Sequence, residues 1–261
     1  MKVGRTRLPE AEASKLKTSE DVPQGVSRER AFDKEAWQPK SELGKKVKSG
    51  EIVTIDEILD KGYTILEAGV VDALVSNLNS DLLTIGQSKG KFGGGKASIW
   101  RQTQKKTQEG NKASFATLTV VGNHDGYVGL GFGKSRETVP AREKALRKAK
   151  LNLIKIRRGC GSWECACHEP HSVPVKVKGK VTSVELELMP APKGTGIVAQ
   201  KEVAKILAFA GIKDVYANAK GHTASKLNLL MACFEALKNL SKIKLKEVDH
   251  KTLGVIEGNL Q

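Results

Sequence analysis

An α+β fold in two modest domains is what this sequence of 261 residues predicts. Three features carry the prediction. Two hairpin-like stretches of alternating apolar residues lie far apart in the chain, each is followed by a helix-period stripe, and a Gly- and Cys-rich break separates them. The length accommodates this arrangement, since domains run to about 100–200 residues.

Taken in order, residues 1–50 mix Lys, Glu, Ser and Pro with no sustained apolar period. They are expected to form an extended basic arm with little core of its own. The first domain is expected over 51–158, with folded structure starting near Thr54. Val71, Leu74, Val75 and Leu78 then recur at i, i+3, i+4 and i+7, one stripe of a helix that is acidic on its outside. The stretch QSKGKFGGGKASIWRQTQKK, 87–106, is read as an insertion forming a mobile basic loop, because Gly93, Gly94 and Gly95 disfavour regular structure.

After the loop, Ala116, Leu118 and Val120 alternate with Thr117 and Thr119 as a half-buried strand, and Asn123 to Gly126 supplies a turn. In the returning strand Val128, Leu130 and Phe132 share one face. Gly129, Gly131 and Gly133 leave the other bare, open to close approach by a helix backbone or a nucleic-acid strand. Thr138 is the expected cap of the next helix, with Pro140 tolerated in its first turn. Leu146, Ala149 and Leu153 are its expected buried side, and Lys144, Arg147 and Lys148 fall together on another.

Residues 159–172, GCGSWECACHEPHS, form a Cys/His-rich linker to a second domain at 173–240. There Val173, Val175 and Val177 alternate with Lys176 and Lys178, and Val184, Leu186 and Leu188 alternate with Glu185 and Glu187. Opposite charges thus come within cross-strand reach in a hairpin. The loop PAPKGTGIV leads to a helix with Val203, Ile206, Leu207 and Ala210 on one stripe, ended by Gly211. A short strand over 215–219 and a helix bearing Leu230, Cys233, Phe234 and Leu237 complete the domain, leaving 241–261 as a tail.

The charge narrows the partners. Lys and Arg number 44 against 29 Asp and Glu, a net of +15 and a pI near 9.6, which fits a polyanion. Residues 89–112 carry a net of +6 and residues 134–158 a net of +8, so two windows hold 14 of the 15 charges. Two such runs beside a nearly neutral remainder favour a binding surface over a merely solvated face. The candidate RNA-binding residues are Lys89, Lys91, Lys96, Arg101, Lys105, Lys106, Lys112, Lys134, Arg136, Arg142, Lys144, Arg147, Lys148, Lys150, Arg157, Arg158 and Lys193. No apolar stretch reaches the ~20 residues of a membrane span, and MKVGRTRLPE lacks a signal-peptide core. The expectation is a cytoplasmic protein with no membrane partner.

Enzymatic readings fare poorly. GYVGLGFGKS ends like a phosphate-binding loop, but Val128 stands where that motif requires glycine, and strand alternation explains its glycines. Pro190 to Val198, before a helix N-terminus, offers amides for a phosphate or a tight structural turn. His124, His168, His171, His222 and His250 belong to no nucleophile motif, so no catalytic residues are assigned. Cys160, Cys165, Cys167, His168 and His171 offer ligands for a tetrahedral zinc, with Cys160, Cys165, Cys167 and His171 as the candidate set. The competing reading is reduced thiols packed around Trp163. No cofactor is required, and structural zinc is the one considered. Thiols so close in sequence suit a reducing compartment better than a disulfide framework.

The segment from Ser114 to Leu153, SFATLTVVGNHDGYVGLGFGKSRETVPAREKALRKAKLNL, closely resembles the N-terminal domain of the small-subunit ribosomal protein S five family, a variant of the double-stranded-RNA-binding fold. PHSVPVKVKGKVTSVELELMPAPKGTGIV, AGIKDV and the final helix resemble its C-terminal domain, an α/β sandwich. CGSWECAC and the N-terminal arm look like the archaeal branch. The resemblance implies a structural protein joining head and body of the small subunit, bound to its rRNA, beside ribosomal proteins S four and S eight and near the messenger RNA entry path. It also implies a part in translational accuracy. The basic loop of the family falls at Lys105, Lys106 and Lys112, while the triple-glycine insertion departs from the family pattern. A free double-stranded-RNA-binding regulator and an ATP-binding enzyme are the alternatives.

Overall fold

The protein is described by a computed structural model over Lys34, residues 36–75, 77–87, 97–165 and 167–246, His250 and residues 252–258. Three short helices come first: α1 Glu42–Ser49, α2 Ile55–Asp60 and α3 Ala68–Leu74. The first of them lies inside the segment expected to be an extended arm. Its ends explain why it forms: the Ser41 side chain accepts from the Gly44 amide at 3.1 Å, and Gly50 closes it at φ 83°. With little beyond Val47 to bury, it has too short a stripe for periodicity to reveal. The helix expected through Leu78 stops at Leu74, and Val75 is its C-cap. Val47, Ile52, Ile55, Ile58, Ile65, Val70 and Val71 pack with Tyr127 and Leu153 in a small core of their own.

A five-stranded antiparallel sheet follows, made of β1 Asn79–Leu83, β2 Arg101–Thr107, β3 Gly110–Gly122, β4 Tyr127–Ser135 and β5 Leu153–Lys155. Its long helix is α4 Thr138–Leu151. Both β1 and β2 lie along the same edge of β3, β1 opposite 118–122 and β2 opposite 110–116. The expected basic loop is therefore in part a strand, and the insertion interrupts an edge. The Gly86 amide donates to the Ser98 carbonyl at 2.8 Å across the neck of that interruption.

Helix α4 lies on the bare glycine face. A Cβ at Gly133 would sit 2.1 Å from the Ala141 carbonyl oxygen, one at Gly131 2.1 Å from that of Ala145, and one at Gly129 2.2 Å from that of Ala149. The match is metrical: two strand residues advance about 6.8 Å and four helical residues about 6 Å, so an antiparallel strand and helix stay nearly in step. The buried side of α4 is consequently the alanine row Ala141, Ala145 and Ala149, with Leu146 only half-buried, which corrects the expected Leu146 stripe. Glu137, not Thr138, is the N-cap. Thr117 and Thr119 are buried beneath the helix as well, so β3 is covered on both faces rather than half-buried.

After β6 Arg157–Arg158, the second sheet runs β7 Val177–Val181, β8 Val184–Pro190, β10 Val215–Gly221 and β9 Ile197–Val198 in spatial order, the last pair parallel. The expected charge pairing is present, with Lys178 opposite Glu187 at 2.9 Å and Lys180 opposite Glu185 at 2.7 Å. Helices α5 Lys201–Phe209 and α6 Lys226–Lys242 cover it. The strand–helix device of the first sheet recurs, since a Cβ at Gly179 would sit 2.1 Å from the Ala232 carbonyl oxygen.

One core joins the halves. Leu118, Val120, Val128 and Leu130 of the first sheet pack in the same cluster as Leu186, Leu188, Ile206, Leu207 and Leu237 of the second domain. The Asn123–Gly126 turn caps α5, with the His124 and Gly126 amides donating to the Phe209 and Ala210 carbonyls at 3.1 and 3.2 Å. His124 Nδ1 reaches the Ala208 carbonyl at 3.0 Å. The segment read as a tail also takes part, because β11 Ile256–Glu257 pairs antiparallel with β6.

Candidate nucleic-acid interface

The structure sorts the candidate cations into three groups. Those on the β2–β3 hairpin are exposed: Arg101, Lys105, Lys106 and Lys112. Residues 110–114 pair only with β2, so the hairpin extends past the sheet by about 17 Å at 3.4 Å per residue. Register places Lys105 directly opposite Lys112, and puts both Arg101 and Lys134 opposite Ala116. Side chains paired across strands share a face, so Arg101, Lys105, Lys112 and Lys134 form one cationic sheet face. Like charges held opposite one another are unfavourable unless an anion comes between them. Lys112 is partly offset by Glu109 at 3.0 Å.

A second exposed group lies on α4. Lys144, Arg147 and Lys148 stand at i, i+3 and i+4 on the side away from the alanine row. A shallow concavity where β4 turns into this helix is lined by Lys134, Arg136 and Lys144 together with Ser114, Ser135, Pro140 and one carboxylate, Glu137. It continues the basic surface toward the hairpin. Arg142 is half-buried on the same helix.

The third group meets carboxylates within the chain. Lys150 pairs with Asp72 of α3 at 2.7 Å, both side chains largely covered. Arg157 bonds Glu257 and the Ile243 carbonyl. Arg158 is 3% exposed and donates to Asp125 Oδ1 at 2.6 Å and to the Gly258 carbonyl at 2.9 Å. Lys193 is held by Glu169 at 2.7 Å. Positions 89, 91 and 96, all lysines, lie outside the described residues.

Both candidate phosphate loops serve the fold. GYVGLGFGKS is the turn residue Gly126 followed by strand β4, and α4 covers Gly129, Gly131 and Gly133. In the Pro190 to Val198 loop the Gly194 and Gly196 amides donate to Asp214 Oδ1 at 3.1 and 2.8 Å. At the start of α5 the Glu202 and Val203 amides donate to Gln200 Oε1. These amides are already engaged within the chain.

Cys160, Cys165, Cys167 and His171 converge, their ligand atoms all within 4.8 Å of one another. His168 does not join them; its Nδ1 meets the Thr252 carbonyl. The Cys165 thiol is drawn down to about 6, chiefly by the Lys193 backbone amide and then by Cys167. Burial and then the neighbouring sulfurs push the Cys160 thiol up to about 11. Trp163 is 92% exposed, which excludes thiols packed around its ring. Asp214, 43 residues on, bonds His171 Nδ1 at 2.9 Å, a partner that no local spacing announced.

Residues 99–157 match the model of Ribosomal protein S5, N-terminal domain, and residues 179–252 that of Ribosomal protein S5, C-terminal domain. The small ribosomal subunit protein uS5 of Nanoarchaeum equitans is 49% identical over 226 residues, 87% of this chain and 97% of that one. The chain belongs to the uS5 family. The uS5 proteins of Methanosphaera stadtmanae, 45% identical over 87% of this chain and 93% of theirs, and Pyrobaculum arsenaticum, 46% over 82% and 98%, are further relatives. Archaeal uS5 proteins are thus what this chain is similar to along most of its length. No helix among the described residues is long and apolar enough to cross a membrane.

Proposed function

We propose that the protein is a structural, non-enzymatic constituent of the small ribosomal subunit that holds rRNA through the α4 face and the projecting hairpin. The observation that carries this reading is the sorting of the cations: Lys144, Arg147, Lys148, Arg101, Lys105 and Lys106 stay exposed on a helix and a strand while Lys150 and Arg158 are tied inward. A helix laid on an antiparallel sheet, with a basic hairpin beside it, supports the double-stranded-RNA-binding likeness of the N-terminal domain. Such a surface reads backbone shape rather than base identity.

The uS5 likeness extends the proposal to position. The protein joins head and body, neighbours ribosomal proteins S four and S eight and the messenger entry path, contributes to accuracy, and works in the cytoplasm. The exposed hairpin is suited to reaching RNA beyond the protein's own body. Engagement of the Gly194, Gly196, Glu202 and Val203 amides counts against the nucleotide-binding alternative.

The test is the salt dependence of binding to small-subunit rRNA fragments, with Arg147→Glu plus Lys148→Glu. Each lost phosphate contact lowers the slope of log K against log salt by about 0.7–0.9, so the double variant should lose somewhat under two units. An unchanged affinity and slope would remove α4 from the interface.

A further inference from the structure

We infer that Cys160, Cys165, Cys167 and His171 form a structural zinc site that fastens the interdomain linker to the C-terminal domain. The inference is independent of the RNA-binding reading. A tetrahedral zinc with bonds of about 2.3 Å to sulfur and 2.0–2.1 Å to nitrogen has ligand–ligand edges of about 3.6–3.8 Å. Here Cys165 Sγ and His171 Nε2 are 3.9 Å apart and no pair in the set exceeds 4.8 Å. Modest side-chain rotations close the remaining gap. Three thiolates and an imidazole select zinc over the oxygen-seeking calcium and magnesium. Four protein ligands complete the tetrahedron, so the site is structural, with no open position for a reacting water.

The surroundings are arranged for a metal. His171 and Asp214 are both buried, and the Nδ1 contact at 2.9 Å fixes the tautomer whose Nε2 lone pair faces the sulfurs. Asp214 Oδ1 meanwhile takes the Gly194 and Gly196 amides, and the His171 carbonyl takes those of Lys213 and Asp214 at 2.8 and 3.0 Å. The Cys160 amide donates to the Leu253 carbonyl at 2.7 Å. One ion would therefore tie together the end of β6, the linker, the loops before β9 and β10, and the chain beyond α6. Between β6 and β7 the described linker has no regular element, only the isolated bridge of Gly159 with Ser172, so a metal supplies order that backbone pairing does not.

The full chain, purified under reductant, incubated with zinc chloride and desalted, is expected to retain one zinc ion by elemental analysis. Cobalt substitution should give thiolate-to-metal charge-transfer absorption and the strong visible bands of a tetrahedral site. Cys165→Ser and Cys167→Ser should abolish stoichiometric retention, whereas Cys233→Ala, in the core of α6, should not. Asp214→Asn keeps all four ligands and the Oδ1 acceptor but turns an N–H donor toward His171. In chelator competition it should bind zinc 10–100-fold more weakly, which tests the site even if the cysteine variants misfold. No retained zinc, no thiolate–cobalt band, or zinc unaffected by both cysteine changes would overturn the inference.

Discussion

Replacing Gly131 by alanine tests the contact on which α4 rests. In an unobstructed strand the change would stabilise the protein by about 0.5–1 kcal/mol, because glycine loses more backbone entropy on folding. Here the new Cβ would lie 2.1 Å from the Ala145 carbonyl oxygen and 2.2 Å from the Ala149 amide nitrogen, more than an ångström inside ordinary contact. Both obstructing atoms are main-chain atoms, so no rotamer change relieves them and α4 must lift. Overpacking of this kind costs about 1–3 kcal/mol, and a rigid obstacle places it at the upper end. The expected net loss is about 2 kcal/mol. In a protein of this size that is a fall of roughly 4–8 °C in Tm, or a lower urea midpoint at unchanged slope. Adding Ala145→Gly should restore nothing, since it removes a methyl and leaves the carbonyl. A neutral or stabilised G131A, or recovery in the double variant, would refute the backbone-contact account.

Three further outcomes follow from the charges. Arg158→Met should cost about 3 kcal/mol by removing a buried guanidinium's bonds to Asp125 and Gly258. It should speed proteolysis beyond α6 yet leave the salt slope of RNA binding intact; a changed slope would return Arg158 to the interface. Glu187 is held down to about 2 by hydrogen bonds from Lys178 and then Lys176, far below its ordinary 4.5. Its stabilising contribution is therefore full above pH 4.5 and is lost as pH falls toward 2, so Glu187→Gln should flatten that part of the acid-unfolding curve; identical curves would deny it the role. Lys105→Glu should act with opposite signs, steadying the hairpin by about 0.2–1 kcal/mol opposite Lys112 while weakening rRNA binding. Slower amide exchange over 101–114 with reduced RNA affinity is the expected pair of readings; unaltered RNA affinity would take the hairpin out of the interface.

Period and spacing carried much of this molecule. The alternation of Val128, Leu130 and Phe132 with three glycines placed β4 and its bare face, and the Lys178–Glu187 pairing followed from alternation alone. What period could not supply was the identity of the occupant. The glycine face suits a helix or a nucleic-acid strand equally until the Ala141, Ala145 and Ala149 row is seen to share its spacing. Helix α1 escaped notice because Ser41 and Gly50 define it more than any stripe does. The fused core was equally hidden, since Leu118 and Leu186 each read as the inside of a separate domain. The Cys/His cluster was legible as chemistry, but Asp214, the residue before β10, meets His171 only once the second sheet is in place beside the linker.

Net charge locates a surface only after the cations that fold the protein have been subtracted. In the 134–158 window Lys150, Lys155, Arg157 and Arg158 all meet carboxylates, and those carboxylates come from α3, from α2, from β11 and from the β3–β4 turn. Every one of these partners lies outside the window, so counting charge within it leaves them out. On α4 the cations left exposed stand one or two positions, about 100–200° of helical turn, from an alanine buried under the sheet. Lys144 and Lys148 each precede an inward alanine, Ala145 and Ala149. The same 3.6-residue period that seats α4 on the glycines therefore aims its cations outward, so the packed face and the proposed binding face follow from one helical repeat.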